Sequence, residues 1–175
     1  MKIRIDDIQA TPKELVYSEG VEELNARLGR GVRDYRFPAG LGVEVAYYRA
    51  GLDVFFRGTV HADVMGNCAR CLDEYPFDID RPFSFMLTPR QAAADGPGLA
   101  AEDMALSFYE GEEIDLTPLV HEQAMLALPT RPLCREGCRG LCPRCGADLN
   151  AGGCACPAAL PDPRLAVLHT LARGK

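Results

Sequence analysis

Residues 134–156 read C-R-E-G-C-R-G-L-C-P-R-C-G-A-D-L-N-A-G-G-C-A-C and hold six of the chain's eight cysteines. The other two, Cys68 and Cys71, form a lone C-x-x-C well upstream. Cysteine at this density is a ligand framework, and the rest of the chain has to deliver two cysteines to six. In Cys142-Pro143-Arg144-Cys145-Gly146 two thiolates are spaced to grip one tetrahedral metal. The glycine suits the tight positive-φ turn that points backbone N–H groups at sulfur. Cys154-Ala155-Cys156 is too close a pair for an easy disulfide with itself but can supply one or two ligands, and Cys134 and Cys138 make a further pair. Four pairs point to two four-thiolate sites. Cys142, Cys145, Cys154 and Cys156 would close one locally. Cys68, Cys71, Cys134 and Cys138 would close the other, because the distant C-x-x-C otherwise has no partner. The expected cofactor is structural Zn²⁺, in one or two copies; one ion with some free thiols is the competing arrangement.

Other uses of cysteine fit less well. Met1 leads straight into the charged M-K-I-R-I-D-D with no apolar signal segment, so a reducing cytoplasmic setting is expected rather than a disulfide framework. The run from Cys138 through Cys142 to Cys145 has the spacing of a radical-SAM cluster motif, but only 30 residues follow Cys145, too few for the barrel that chemistry needs. A thioredoxin-like pair at Cys68 and Cys71 needs a helix after it, whereas L-D-E-Y-P-F-D-I-D alternates like a strand.

At 175 residues, 47% apolar and 25% charged, the chain has the size and composition of one globular domain with an appendage. The expected division is an α+β core over residues 1–130 (with a small-residue linker at 91–101), a cysteine-rich module over 131–157, and a linker plus C-terminal helix over 158–175. No apolar run is long enough to suggest a membrane span. The formal charge is −6, and each four-thiolate zinc site adds about −2, so net charge offers no general grip on phosphate. One local basic patch stands out: Arg131, Arg135, Arg139 and Arg144 against the single acid Glu136. Guanidinium groups on a metal-bound scaffold suit RNA phosphates, and they equally suit a role offsetting thiolate charge. Both readings stay open at this level.

In chain order, residues 1–8 alternate as a half-buried strand. Thr11-Pro12-Lys13-Glu14 predicts a helical segment with Leu15, Val16, Leu24 and Leu28 on its stripe, interrupted near Ser18-Glu19-Gly20 and closed at Gly29-Arg30-Gly31. Residues 32–37 read as a short strand. Residues 42–49 and 53–64 are rich in β-branched and aromatic types, with Ala50-Gly51-Leu52 as a hairpin turn. Cys68 and Cys71 then fall at the tip between two antiparallel strands, the second over 75–87. A strand over 105–109 and an acidic turn over 110–113 precede a helix with Thr117 as N-cap, Pro118 at the first helical position and Pro129 as its stop. Residues 157–163 form a proline-punctuated linker, and R-L-A-V-L-H-T-L-A over 164–172 a short amphipathic helix. The expected fold is α+β: a bent antiparallel β-sheet or small barrel, one packed helix, and a C-terminal zinc-bound cysteine module. No internal repeat stands out.

Nothing in the sequence spells an active site. His61, His121 and His169 are scattered, the first expected on a sheet face and the second on a solvated helix face. Asp78, Asp80, Glu112, Glu113 and Asp115 read as solvated faces and turns. Four-coordinate thiolate sites leave no open position for bound water.

C-A-R-C-L at 68–72, E-I-D-L-T-P-L-V-H-E-x-x-x-L-A-L-P at 113–129, C-x3-C-R-G-L-C-P-R-C-G-A-D-L-N with C-A-C, and a closing D-P-R-L-A-V-L occur here in one order. In this the chain resembles the bacterial YceD family of large ribosomal RNA subunit accumulation proteins. The resemblance spans roughly residues 40–172, with the first forty matching only loosely. It implies a non-enzymatic role in accumulation or maturation of 23S ribosomal RNA and in large-subunit assembly, with precursor 23S RNA or a large-subunit protein as partner. The family's cysteine pattern falls on Cys68, Cys71, Cys134, Cys138, Cys142, Cys145, Cys154 and Cys156. A protein-binding scaffold that affects RNA processing indirectly is the alternative.

Overall fold

A computed structural model describes residues 1–30, 34–90 and 106–157. The expected linker at 91–101 and the C-terminal helix at 164–172, with His169, lie outside the described residues. In chain order the elements are β1 (Lys2–Arg4), a 3-10 turn (Ile5–Asp7), β2 (Lys13–Glu19), α1 (Glu22–Arg30), β3 (Tyr35–Arg36), β4 (Leu41–Ala50), β5 (Asp53–Asn67), β6 (Glu74–Pro89), β7 (Leu106–Tyr109), β8 (Glu113–Asp115) and α2 (Thr117–Ala127). The main sheet runs β2-β4-β5-β6-β7, with β3 beside β5, and a separate ribbon pairs β1 with β8. All pairings are antiparallel except β6 with β7, which is parallel. The path is open among the described residues, so the barrel half of the expectation does not hold: β2 and β7 stand at opposite ends and do not pair. The α+β class does hold, with two helices among the described residues where one packed helix was expected.

The long β5–β6 hairpin is the spine. Its ladder runs from Val54 opposite Leu87 to Asn67 opposite Glu74. Period-two alternation puts Val54, Phe56, Val60 and Val64 of β5 and Ile79, Phe83 and Leu87 of β6 into one buried core. Tyr47, Phe56 and Phe85 stack in sequence across three strands, with ring centroids 5.8 and 5.1 Å apart. Such contacts between neighbours fix register as well as burying area.

Two sequence expectations fail at the N-terminal end. Lys13–Glu19 is a strand, not a helix, paired residue for residue with β4 from Lys13 opposite Tyr47 to Glu19 opposite Leu41. The inward pair is Leu15 and Tyr17, two apart; grouping Leu15 with Val16, Leu24 and Leu28 mistook a strand and a helix for one helical stripe. Val16 in fact points out and is 74% exposed. The helix begins only after Gly20, and Leu24 and Leu28 are its buried face. Asn25 clamps it to the next strand, donating from Nδ2 to the Phe37 carbonyl and accepting the Phe37 N–H, each at 2.9 Å.

Helix α2 starts one residue off the expected frame. Leu116 occupies the N-cap, and the Thr117 N–H donates to Asp115 Oδ1 at 3.0 Å. The Thr117 hydroxyl turns instead to Glu19 Oε1. Asp115, read as a solvated acid, therefore caps the helix. His121, read as solvated, is buried and donates from Nε2 to the Gly20 carbonyl at 2.9 Å, tying α2 to the β2–α1 corner. His61 lies on the sheet face, as expected, 3.5 Å from Asp80. Leu128, preceding Pro129, is extended and ends the helix. The Tyr35 hydroxyl donates to the Pro129 carbonyl, which fixes where the chain leaves α2. Among the described residues no helix is long and apolar enough to cross a membrane.

Candidate metal centres

The exit from α2 is what joins the two cysteine segments. The chain after Pro129 runs past the β5–β6 tip, where the Ala69 N–H donates to the Pro132 carbonyl at 2.8 Å. That contact sets Cys134 and Cys138 against Cys68 and Cys71, which sit directly after β5 and before β6. In this inner quartet Cys68 and Cys138 sulfurs are 3.8 Å apart and Cys71 and Cys134 sulfurs 3.7 Å. The outer quartet is local: Cys142, Cys145, Cys154 and Cys156, with Cys142 and Cys154 sulfurs 3.3 Å apart. Within each quartet all sulfurs lie within 4.8 Å of one another. A tetrahedral metal with sulfur at about 2.3 Å needs sulfur–sulfur edges of about 3.8 Å, whereas a disulfide needs about 2.05 Å. The spacings therefore fit a shared metal, and all eight cysteines are free thiols. The two quartets are the ones that spacing and reach suggested.

Both quartets are built on one kind of turn. The Leu72 N–H donates to the Cys68 carbonyl and the Gly146 N–H to the Cys142 carbonyl, each at 2.9 Å. The closing residues are both left-handed, Leu72 at φ 66° and Gly146 at φ 73°. In this turn the N–H groups of the third and fourth residues face the first sulfur. Burial pushes the Cys68 thiol up, but N–H groups of Cys134, Cys71 and Arg70 outweigh it and bring the thiol down to about 6. N–H groups of Cys145 and Arg144 likewise lead in bringing Cys142 down to about 6. Each quartet thus contains one thiol held ready as thiolate, the form that binds metal. Hydrogen bonding with Cys145, with burial, pushes Cys156 up to about 12. Near the inner quartet, burial and the charge of Cys68 raise the Tyr75 hydroxyl.

The surroundings differ. Cys68, Cys71 and Cys138 are buried, with Tyr75 and Leu133 packed over them. Of the outer four, only Cys142 is buried and Cys145 is exposed. Arg70 is a functional residue that sequence reasoning passed over: its guanidinium donates to the Glu136 and Cys138 carbonyls at 3.1 and 2.6 Å. It holds the second strap of the inner quartet in place. The available signal was the repeated C-x-R-C, in which Arg70 and Arg144 occupy the same position. Asn150 was also passed over; it donates from Nδ2 to Cys138 Sγ at 3.6 Å. Arg131, Arg135, Arg139 and Arg144 are all exposed. None of their side chains makes a hydrogen bond or ion pair among the described residues, so the guanidinium that serves the thiolate scaffold is Arg70 instead.

No solved structure matches the chain. Uncharacterised proteins of Mycobacterium tuberculosis and Mycobacterium bovis are 33% identical over 96 residues, 55% of this chain and 45% of theirs. The chain thus matches less than half the length of these relatives. YlbN of Bacillus subtilis is 26% identical over 172 residues, 98% of this chain and 96% of that protein. A chloroplastic large ribosomal RNA subunit accumulation protein YCED homolog of Arabidopsis thaliana is 24% identical, covering 76% of this chain and 49% of its own. The model of the family described as large ribosomal RNA subunit accumulation protein YceD matches residues 56–172, from within β5 through both quartets. With more than half of its length matched, the chain belongs to the YceD family.

Proposed function

We propose that the protein is a non-enzymatic factor for 23S ribosomal RNA accumulation and large-subunit assembly, acting in the cytoplasm. Structural zinc in both quartets would hold a basic surface in shape. The observation that carries the RNA contact is the set of exposed guanidiniums at Arg131, Arg135, Arg139 and Arg144, which make no hydrogen bond or ion pair among the described residues, although the charge of Arg135 reaches Asp148, and which stand on a segment whose backbone is fixed by thiolates. Arginine ordered by a rigid scaffold gives up little freedom on meeting a phosphate. The soft four-sulfur sets favour zinc over harder cations and leave no coordination position for water.

The test is a salt titration of binding to precursor 23S RNA fragments, with the wild-type chain and an Arg135→Ala/Arg139→Ala/Arg144→Ala variant. If these side chains meet single-stranded phosphates, the slope of log K against log salt becomes shallower by about 2. The formal charge of −6 favours a small RNA footprint or a protein partner. Unchanged RNA affinity in the variant would sink the direct contact and leave the protein-binding reading.

A further inference from the structure

Only Arg139, Gly140 and Leu141 separate Cys138 of the inner quartet from Cys142 of the outer one. These three residues are gripped from both sides. From the inner side, the Arg70 carbonyl accepts the Leu141 N–H at 3.0 Å, and Gly140, at φ 73°, lies so close that a Cβ there would sit 2.7 Å from the Arg70 oxygen. From the outer side, the loop 146–153 closes over them: the Leu149 N–H donates to the Gly140 carbonyl, the Cys142 N–H to the Ala147 carbonyl, and Leu141 bridges Asp148.

Asn150 sits in that loop, and its side chain makes three hydrogen bonds. Oδ1 accepts the Arg139 N–H at 2.8 Å, while Nδ2 donates to Asp148 Oδ1 at 2.7 Å and to Cys138 Sγ at 3.6 Å. A residue of the loop that closes the outer quartet is therefore a hydrogen-bond donor to a sulfur of the inner one. We propose that Asn150 is a positioning residue that couples the two quartets, so that metal in the outer quartet strengthens retention of metal in the inner quartet. The inference rests on metal occupying both quartets.

The physical argument has two steps. An N–H donor to a metal-bound thiolate delocalises its charge and fixes the sulfur's direction, and loss of such a partner typically costs 10–100-fold in metal affinity. The loop 146–153 starts after Cys145 and ends before Cys154, so metal in the outer quartet pins both of its ends. Without that metal, keeping the loop closed costs conformational entropy, and the Asn150 bond to Cys138 is populated less. Coupling of this kind is reciprocal, so metal in the inner quartet also favours loading of the outer one.

The experiment uses the full chain loaded with zinc, challenged with a chromophoric chelator, and the inner-quartet phase is identified as the one that survives in Cys154→Ser. Release of inner metal is expected to be 10–100-fold faster in Cys154→Ser than in the wild type. Asn150→Ala should give a similar acceleration while both metals still bind, and the combined variant should be no faster than the faster single one. With Co²⁺ in place of zinc, Asn150→Ala should move the inner thiolate-to-metal charge-transfer band to lower energy, a change that a loop-packing role would not produce. Inner release that neither substitution alters, or an unmoved band, overturns the coupling. Fewer than two metals bound per wild-type chain overturns the occupancy reading beneath it instead.

Discussion

The turns at residues 68–72 and 142–146 have the same backbone, the same pattern of N–H groups facing sulfur and an arginine at the same place, yet they stand on different supports. The first caps the β5–β6 ladder and recruits ligands 63 and 70 residues away. The second has the single Leu141–Asp148 bridge beneath it and recruits Cys154 from 12 residues away. In the first, Arg70 is spent on carbonyls of its own quartet; in the second, Arg144 is exposed and makes no hydrogen bond or ion pair among the described residues. The same local motif therefore does two jobs. At the sheet tip it closes a long-range loop and holds the fold together, and in the local loop it holds a surface in shape.

The sharpest way to break this contrast is to remove one ligand from each quartet. Cys71→Ser opens a buried quartet that joins distant segments, so it should lose a large part of the roughly 10–16 kcal/mol that structural zinc supplies. The loss should appear as release of residues 131–157 from the core in proteolysis and as a lower denaturation midpoint. Cys145→Ser removes an exposed ligand of a local loop and should lower the core transition only by the coupling through Asn150, about 1.4–2.8 kcal/mol. Equal losses in the two variants would show that the outer quartet also carries the fold.

A subtler test exchanges the residue that closes each turn. Leu72 is left-handed at φ 66° and 68% exposed, so it bears backbone strain with little burial to offset it. A non-glycine residue there costs about 1–2 kcal/mol, and glycine removes that cost while adding up to about 1 kcal/mol of unfolded-state entropy. Leu72→Gly should therefore leave stability unchanged or raise it by up to about 1 kcal/mol in chemical denaturation. Gly146→Leu should weaken outer metal binding by a comparable amount. A clear destabilisation by Leu72→Gly would mean that the leucine side chain makes a contact that offsets its strain.

What was legible in the sequence follows the range of the interaction. Cysteine spacing, the β4–β5 turn and the place of Cys68 and Cys71 at a hairpin tip are short-range facts, and all three are found in the structure. The partition of the eight thiols was readable because reach leaves few ways to pair four local couples. Lys13–Glu19 was misread because its strand character comes from pairing with β4, while its apolar spacing alone mimics a helix. His121 was misjudged because the carbonyl that buries it belongs to Gly20, 101 residues earlier. Asn150 could not be read at all, and Arg70 showed only as the arginine of the repeated C-x-R-C: each acts on a carbonyl or sulfur that only the closed quartets bring near. Openness of the sheet is likewise a property of its two ends, which no single segment encodes.

The smallest expected effect tests whether the two turns are chemically alike as well as geometrically alike. Thiols at Cys68 and Cys142 are each held at about 6, against an ordinary value of 9.0. A metal entering a quartet displaces a proton only from a thiol that still has one. Below about pH 6 both thiols are protonated and give up a proton on binding; above it they are already thiolates and give up none. Proton release per chain should accordingly fall as pH rises through about 6, by one proton for each quartet, when saturating zinc is added to metal-free protein in weakly buffered indicator solution. Cys154→Ser, which disables the outer quartet, should halve that step and leave its midpoint in place, because Cys68 keeps its own N–H donors. A step that vanishes in that variant would assign the depressed thiol to Cys142 alone. The buried quartet would then depend on burial more than on its turn, and the likeness of the two knuckles would stop at the backbone.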